Sequence, residues 1–172
     1  MQFTLESIVL SAKERLREKR ELPFMVLVKN AYQFYSFELS LSNDKEKALT
    51  FELLKLMLSY TNASEYVIVT EGWASQTVGK KGRLKLEGRK EVVLITRVKR
   101  AAGGETSNSG HLFDIVRDEE GRFLDLVAQE DLQCGVGTLT GLFMPKDFAL
   151  SAEQRTAAEI FIREAAEMIT LQ

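Results

Sequence analysis

The sequence predicts an α+β fold, a mainly antiparallel sheet of about six strands with three helices in the order α-β-β-α-β-β-β-β-α. Three observations carry that expectation. Strand-type segments come in neighbouring runs with one helical crossover between them, which argues against a doubly wound nucleotide fold. Two segments open on capping-box patterns, Asn43 with Glu46 and Ser151 with Gln154, and continue with helical apolar spacing. Finally, Asp118-Glu119-Glu120-Gly121 separates two strand patterns as a turn should.

Leu5, Ile8, Val9, Ala12 and Leu16 recur at helical spacing among charged residues, so 4 to about 20 reads as a one-sided amphipathic helix, stopped by Pro23. Phe24 to Val28 is a continuous apolar run too short for a helix, which suits a strand buried on both faces. From Tyr35 to Leu41 apolar and polar residues alternate, as in a half-exposed hairpin partner. The helix after Asn43 runs through Leu49, Leu53, Leu54, Leu56, Met57, Leu58 and Tyr60. Its second half is apolar all round, the mark of a helix held between layers or against a subunit. Tyr66 to Thr70 and Glu91 to Val98 are buried-type strands that form a hairpin with a long tip. Ala101 to Gly110 lacks an apolar anchor and reads as a flexible loop, as does the Gly-rich stretch near 76–88. His111 to Val116 and Arg122 to Val127 make the next hairpin, Thr140 to Phe143 a short edge strand, and Ala158, Ile162, Ala165 and Ile169 a C-terminal helix.

The 172 residues, 45% of them hydrophobic and 28% charged, suit one domain over 1–172 with a sizeable core, to which ten Phe, four Tyr and one Trp supply bulk. No run approaches the ~18 apolar residues of a membrane span, and the charged amphipathic segment from Met1 to Arg20 has no signal core. Together with a single cysteine, Cys134, this places the chain in the cytoplasm and away from membranes. The Asn62-Ala63-Ser64 sequon then carries no meaning.

Charge is distributed unevenly. Between Gln76 and Arg100 stand nine Lys or Arg residues (Lys80, Lys81, Arg83, Lys85, Arg89, Lys90, Arg97, Lys99 and Arg100) against Glu87 and Glu91, a balance of +7. The whole chain is −2, so the remainder sums to −9. A basic projection on an acidic body attracts polyanions, and Lys80, Lys81, Arg83 and Lys85 on a hairpin tip would lie along phosphates. The same charge also fits a solvated loop that neutralises its own fold or a symmetry mate. No Phe, Tyr or Trp falls between Gln76 and Arg100, so the segment lacks the stacking platform of single-strand binders.

A second cluster is Glu71-Gly72-Trp73, which ends one strand and faces Arg89-Lys90-Glu91 at the start of the next. Trp73 could wall a ligand and Glu71 bind a cation or pair with Arg89 or Lys90. Glu71 and Glu91 could act as acid and base. The plainer reading is a cross-strand Glu and Lys pair over a partly buried Trp. His111 and Cys134 are each unique, but nothing in their spacing joins them as a nucleophilic dyad. No CxxC, HExxH or EF-hand pattern points to a metal, and no cofactor is implied. The glycine run from Gly135 to Gly141 fails the register of a phosphate loop and of a dinucleotide fingerprint.

The motifs VTEGW (Val69 to Trp73) and GRKEVVLIT (Gly88 to Thr96) resemble a group of small prokaryotic proteins with a strand ending Glu-small-Trp followed by an Arg-Lys-Glu strand. The resemblance runs from the first strand to Val98. It implies no activity and singles out Glu71, Trp73, Arg89, Lys90 and Glu91. The leading expectation is a non-catalytic binding or accessory module that self-associates as a dimer, the apolar surplus on the C-terminal helix fitting equally a dimer contact or simple burial on the sheet. Binding of nucleic acid or an acidic protein through 76–100 is the alternative, and a hydrolase or transferase using Glu71 and Glu91 the third.

Overall fold

Strands with apolar residues at both odd and even positions need a partner layer on each face, and the computed structural model supplies one. It describes residues 3–74, 89–129 and 138–170. In chain order the elements are α1 (Leu5–Lys19), β1 (Phe24–Lys29), β2 (Gln33–Leu39), α2 (Asp44–Tyr60), β3 (Glu65–Ala74), β4 (Lys90–Arg100), β5 (Thr106–Arg117), β6 (Phe123–Ala128), a 3₁₀ turn at Thr138–Thr140, α3 (Ala152–Ala165) and β7 (Ala166–Thr170). The fold is α+β in the expected order, with one further short strand at the end. All seven strands join one antiparallel sheet in the order β6-β5-β4-β3-β1-β2-β7. Among the described residues no helix is long and apolar enough to cross a membrane.

α1 covers one face. Ile8, Ala12 and Leu16 are buried against Met25 and Leu27 of β1, Val67 and Val69 of β3, Val93 and Ile95 of β4, and Phe113, Ile115 and Leu126 further out. The alternate residues Val26, Val28, Tyr66, Ile68 and Val98 point to the other face, where Phe51, Leu54, Met57 and Leu58 of α2 and Ala158 of α3 close the core. The second half of α2 buries Leu54, Met57 and Leu58 between sheet and α3, while Lys55 pairs with Glu52 at the surface. Phe37 of β2 stacks on Phe161 of α3 with ring centroids 5.4 Å apart. Tyr60 donates to a Glu159 carboxylate oxygen at 2.8 Å, and that bond raises its phenol above the ordinary 10.0.

Caps fix the helix ends. Asn43 Oδ1 accepts from the N–H groups of Lys45 and Glu46, and Glu46 returns a bond to Ser42 N. Ser151 and Gln154 form a full capping box. For α1 the box is Thr4 with Ser7, and the helix stops at Arg20, whose left-handed φ of 61° turns the chain before Pro23 is reached. The hairpin of β5 and β6 is as read from its turn. Asp118 accepts from the N–H groups of Glu120 and Arg122, bonds that with the Arg122 guanidinium hold its carboxyl below the ordinary 3.8, and Gly121 supplies a φ of 78°.

Three local expectations are corrected. Ala101 to Gly110 is not one long loop: the turn closes by Ala101–Glu105 backbone bonding, and β5 starts at Thr106, pairing Thr106–Gly110 with Thr96–Arg100. Backbone ladder bonds suffice there although the side chains from Thr106 to Ser109 are exposed. Thr140 to Phe143 is no strand. The buried Tyr66 hydroxyl donates to Leu139 O at 2.9 Å and accepts from Leu142 N at 3.3 Å, drawing this segment over the sheet as a 3₁₀ turn and coil. The C-terminal helix stops at Ala165, and Ala166–Thr170 instead pairs with the open edge of β2, Gln33–Phe37. An unsatisfied strand edge competes with helix continuation because it offers the same backbone bonds. The flexible loop expected near 76–88 lies outside the described residues.

Burial pushes the Tyr66 phenol up to about 12 from an ordinary 10.0. Its folded value lies above its unfolded one, so its contribution to stability is complete below about pH 10 and is lost as pH rises towards 12. Tyr66→Phe is expected to cost about 1–2 kcal/mol at neutral pH, since Leu139 O and Leu142 N lose a partner. Urea denaturation between pH 8 and 12 should show the gap between wild type and variant shrinking at the alkaline end. A constant gap would contradict the assignment.

Candidate functional site

β3 and β4 pair from Glu65↔Lys99 to Ala74↔Lys90, so the chemistry-bearing side chains sort by parity and by strand end. At one end, Glu71 is level with Val93 and Trp73 with Glu91, placing Glu71, Trp73 and Glu91 on the α1 face. Their partners differ from the expected cross-strand pair. Glu71 Oε2 accepts from Leu22 N at 2.8 Å, tying the segment after α1 to the sheet. Glu91 takes the Arg117 Nε at 2.6 Å, and the same guanidinium reaches Arg20 O at 3.0 Å. Lys90, on the opposite parity, pairs with Asp114 at 3.0 Å. Glu71 and Glu91 thus occupy diagonal positions on one face, each with a partner of its own. Trp73 is not partly buried beneath an ion pair: it is 59% exposed. Arg89 is exposed at the mouth of β4.

Lys80, Lys81, Arg83 and Lys85 lie outside the described residues, in the connection between Ala74 and Arg89. Cys134 and Gly135 to Gly137 also lie outside them. Of the other basic residues, Arg100 points to the α2 side, bonds Ala63 O and Met144 O, and stands 4.5 Å over the Phe143 ring. Its charge therefore serves the fold. Arg97 belongs to the opposite end of the α1 face, where Nε pairs with the buried Glu65 and Nη2 donates to Phe3 O at 3.1 Å.

Two concavities flank these ends. A cleft of about 920 Å³ is bounded by Glu21, Leu22, Phe24, Ser40 to Asp44 at the start of α2, Lys47 and Glu71. Three of its wall residues are acidic and one is basic. The second, of about 230 Å³, lies at the other end between the first turns of α1 and strands β3 to β5. His111, which the sequence offers only as the start of a strand and a candidate partner for Cys134, is on its wall. The signal that could have found this wall was the alternation Ile95-x-Arg97-x-Lys99 opposite Ser107-x-Ser109-x-His111, visible only once the register of β4 and β5 is known. Among the described residues no group of three His, Cys, Asp or Glu side chains is arranged to hold a metal ion.

Fold and site together define an α+β protein with one antiparallel sheet covered by helices on both faces. Comparison with protein-family models, with curated proteins and with solved structures finds no match.

Glu71 acts here as a fixed acceptor for the backbone N–H of Leu22, a residue 7% exposed. Glu71→Ala is expected to lose about 1–3 kcal/mol and Glu71→Gln, which keeps an amide oxygen in place, less than half of that. Urea midpoints of the two variants measure the difference, and equal losses would show that charge and not the acceptor matters.

Proposed function

We propose that the protein is a non-catalytic binding module whose partner-facing end is the β3–β4 connection, and that its partner is a polyanion, nucleic acid being the class that suits it best. The supporting observation is Trp73, 59% exposed at the end of β3. It adjoins a connection whose sequence carries Lys80, Lys81, Arg83 and Lys85 and that ends at Arg89, five cations against Glu87, while Lys90 is paired with Asp114 on the opposite parity. Basic charge alone is a weak indication. An exposed indole beside it provides the flat apolar face that stacks on bases while the cations track phosphates. The acid–base alternative is less well supported, because Glu71 and Glu91 already hold Leu22 N and Arg117.

Self-association belongs to the same proposal. Ile160 of α3 is 40% exposed, and a dimer through that side of α3 would cover it. A reducing, cytoplasmic setting accords with the single cysteine. Sedimentation of the purified chain reads out the oligomer, and a monomer at all concentrations would remove the dimer from the proposal.

Trp73 is the sole tryptophan, so its fluorescence reports on the proposed surface directly. Mixed-sequence single-stranded DNA or RNA is expected to quench it at low salt. The logarithm of affinity should fall linearly with the logarithm of salt, with a slope near −0.7 for each phosphate neutralised. Trp73→Ala, followed by anisotropy of a labelled oligonucleotide, should weaken binding by about tenfold or more, as expected for loss of one stacked base. Joint neutralisation of Lys80, Lys81 and Arg83 should flatten the salt slope. Absence of quenching at low salt would sink the nucleic-acid reading and leave an acidic protein as the partner to seek.

A further inference from the structure

The cavity of about 230 Å³ at the N-terminal end of α1 lies at the opposite end of β3 and β4 from Ala74 and Lys90 and is built from three cross-strand pairs. Lys99 stands opposite Ser107, Arg97 opposite Ser109 and Ile95 opposite His111, all with side chains on the α1 face. The apolar floor consists of Ile8, Val67 and Ile95, each 2% exposed or less. No carboxylate lines the cavity. Glu65, the nearest acid in the register, is buried and already paired with Arg97, so it offsets that guanidinium and leaves the Lys99 ammonium uncompensated. Lys99 has no ion-pair partner among the described residues.

We infer that this cavity is a binding site for a small organic anion, a carboxylate carrying a short aliphatic chain. The chain lies on Ile8, Val67 and Ile95, and the carboxylate meets the Lys99 ammonium and the hydroxyls of Ser107 and Ser109. The volume is adequate: a protein cavity of ~150 Å³ already accepts benzene, and each water displaced frees roughly 30 Å³. Chemistry favours an anion over a neutral ligand. A monocarboxylate both satisfies the uncompensated ammonium and accepts from the hydroxyls, and such charge-assisted bonds are about twice as strong as neutral ones. A di- or triphosphate fits poorly, because the floor is apolar and one of the two cations is already neutralised.

The test uses the intact chain with hexanoate as probe and hexan-1-ol as the uncharged control, followed by amide chemical shifts in ¹H–¹⁵N spectra. Hexanoate is expected to move the amides of Ser107, Ser109 and His111 in a saturable manner. Lys99→Gln, at an exposed position that leaves the core untouched, should weaken hexanoate by about tenfold, the value of one charge-assisted bond. It should leave hexan-1-ol unaffected. Equal affinity for hexanoate and hexan-1-ol, unaltered hexanoate binding in Lys99→Gln, or shifts confined to other parts of the sheet would each overturn the assignment. Because Trp73, Arg89 and Lys90 lie at the other end of β3 and β4, oligonucleotide binding and hexanoate binding succeed or fail independently.

Discussion

The double-sided burial of β1 and β3 is the constraint from which most of the molecule follows. Met25 and Leu27 project to one face and Val26 and Val28 to the other, and β3 repeats this with Val67 and Val69 against Tyr66 and Ile68. Such strands stay exposed to water on one side until a second layer arrives, so neither helix layer is optional. The same pair explains the helical crossover. β2 and β3 both run antiparallel to β1 and hence parallel to each other, and a parallel return has to traverse the length of the sheet. α2, at 17 residues about 25 Å long, makes that return and delivers Phe51, Leu54, Met57 and Leu58 to the face that α1 leaves open.

α1 is held by more than its apolar stripe. Arg97 reaches Phe3 O just before its first turn, while Arg117 reaches Arg20 O and Glu71 reaches Leu22 N just after its last. Between them Lys13 pairs with Asp125, which holds that carboxyl below its ordinary value, and Arg15 and Lys19 converge on Glu38. The surface pairs contribute little singly. The backbone contacts matter differently: each gives a partner to a main-chain group flanking the helix, and Arg20 O lies at the C-terminal end, where intrahelical donors run out. Glu91 then orients Arg117, so Glu71 and Glu91, the two carboxylates open to an acid–base reading, are both occupied in docking one helix.

What the sequence disclosed were features with a local cause. Asn43 and Ser151 cap helices through bonds to residues two or three positions away, and Asp118 to Gly121 closes a turn within itself, so both were legible. What it concealed depended on distant partners. The strand at Ala166–Thr170 exists because β2 offers an open edge more than a hundred residues upstream, and nothing in Ala166 to Thr170 announces it. The segment at Leu139 to Leu142 takes its shape from the Tyr66 hydroxyl. The site residues divide likewise. Trp73 was singled out from its position at a strand end, but its exposure and the true partners of Glu71 and Glu91 required the register of β3, β4 and β5 and the path of the chain after α1.

Length mismatch explains why polar chemistry collects at both ends of the α1 face. α1, with 15 residues, spans about 22 Å, whereas β4, with 11, spans about 37 Å. A helix of that length shields only the middle of the strand, and there β4 carries Val93 and Ile95, buried to 1% exposure or less. Beyond each end of the helix the same face meets solvent, and the odd positions change to Glu91 on one side and to Arg97 and Lys99 on the other. Some of this charge returns to secure the helix, as Arg97 and Glu91 do. Among the described residues Lys99 has no such duty, and Trp73 stands exposed where an apolar face would be covered if α1 continued. Each end of α1 therefore leaves one residue whose character the fold does not require, an ammonium beside an apolar hollow and an exposed indole at a strand end, and these are the two places where the ligands proposed above would meet the α1 face.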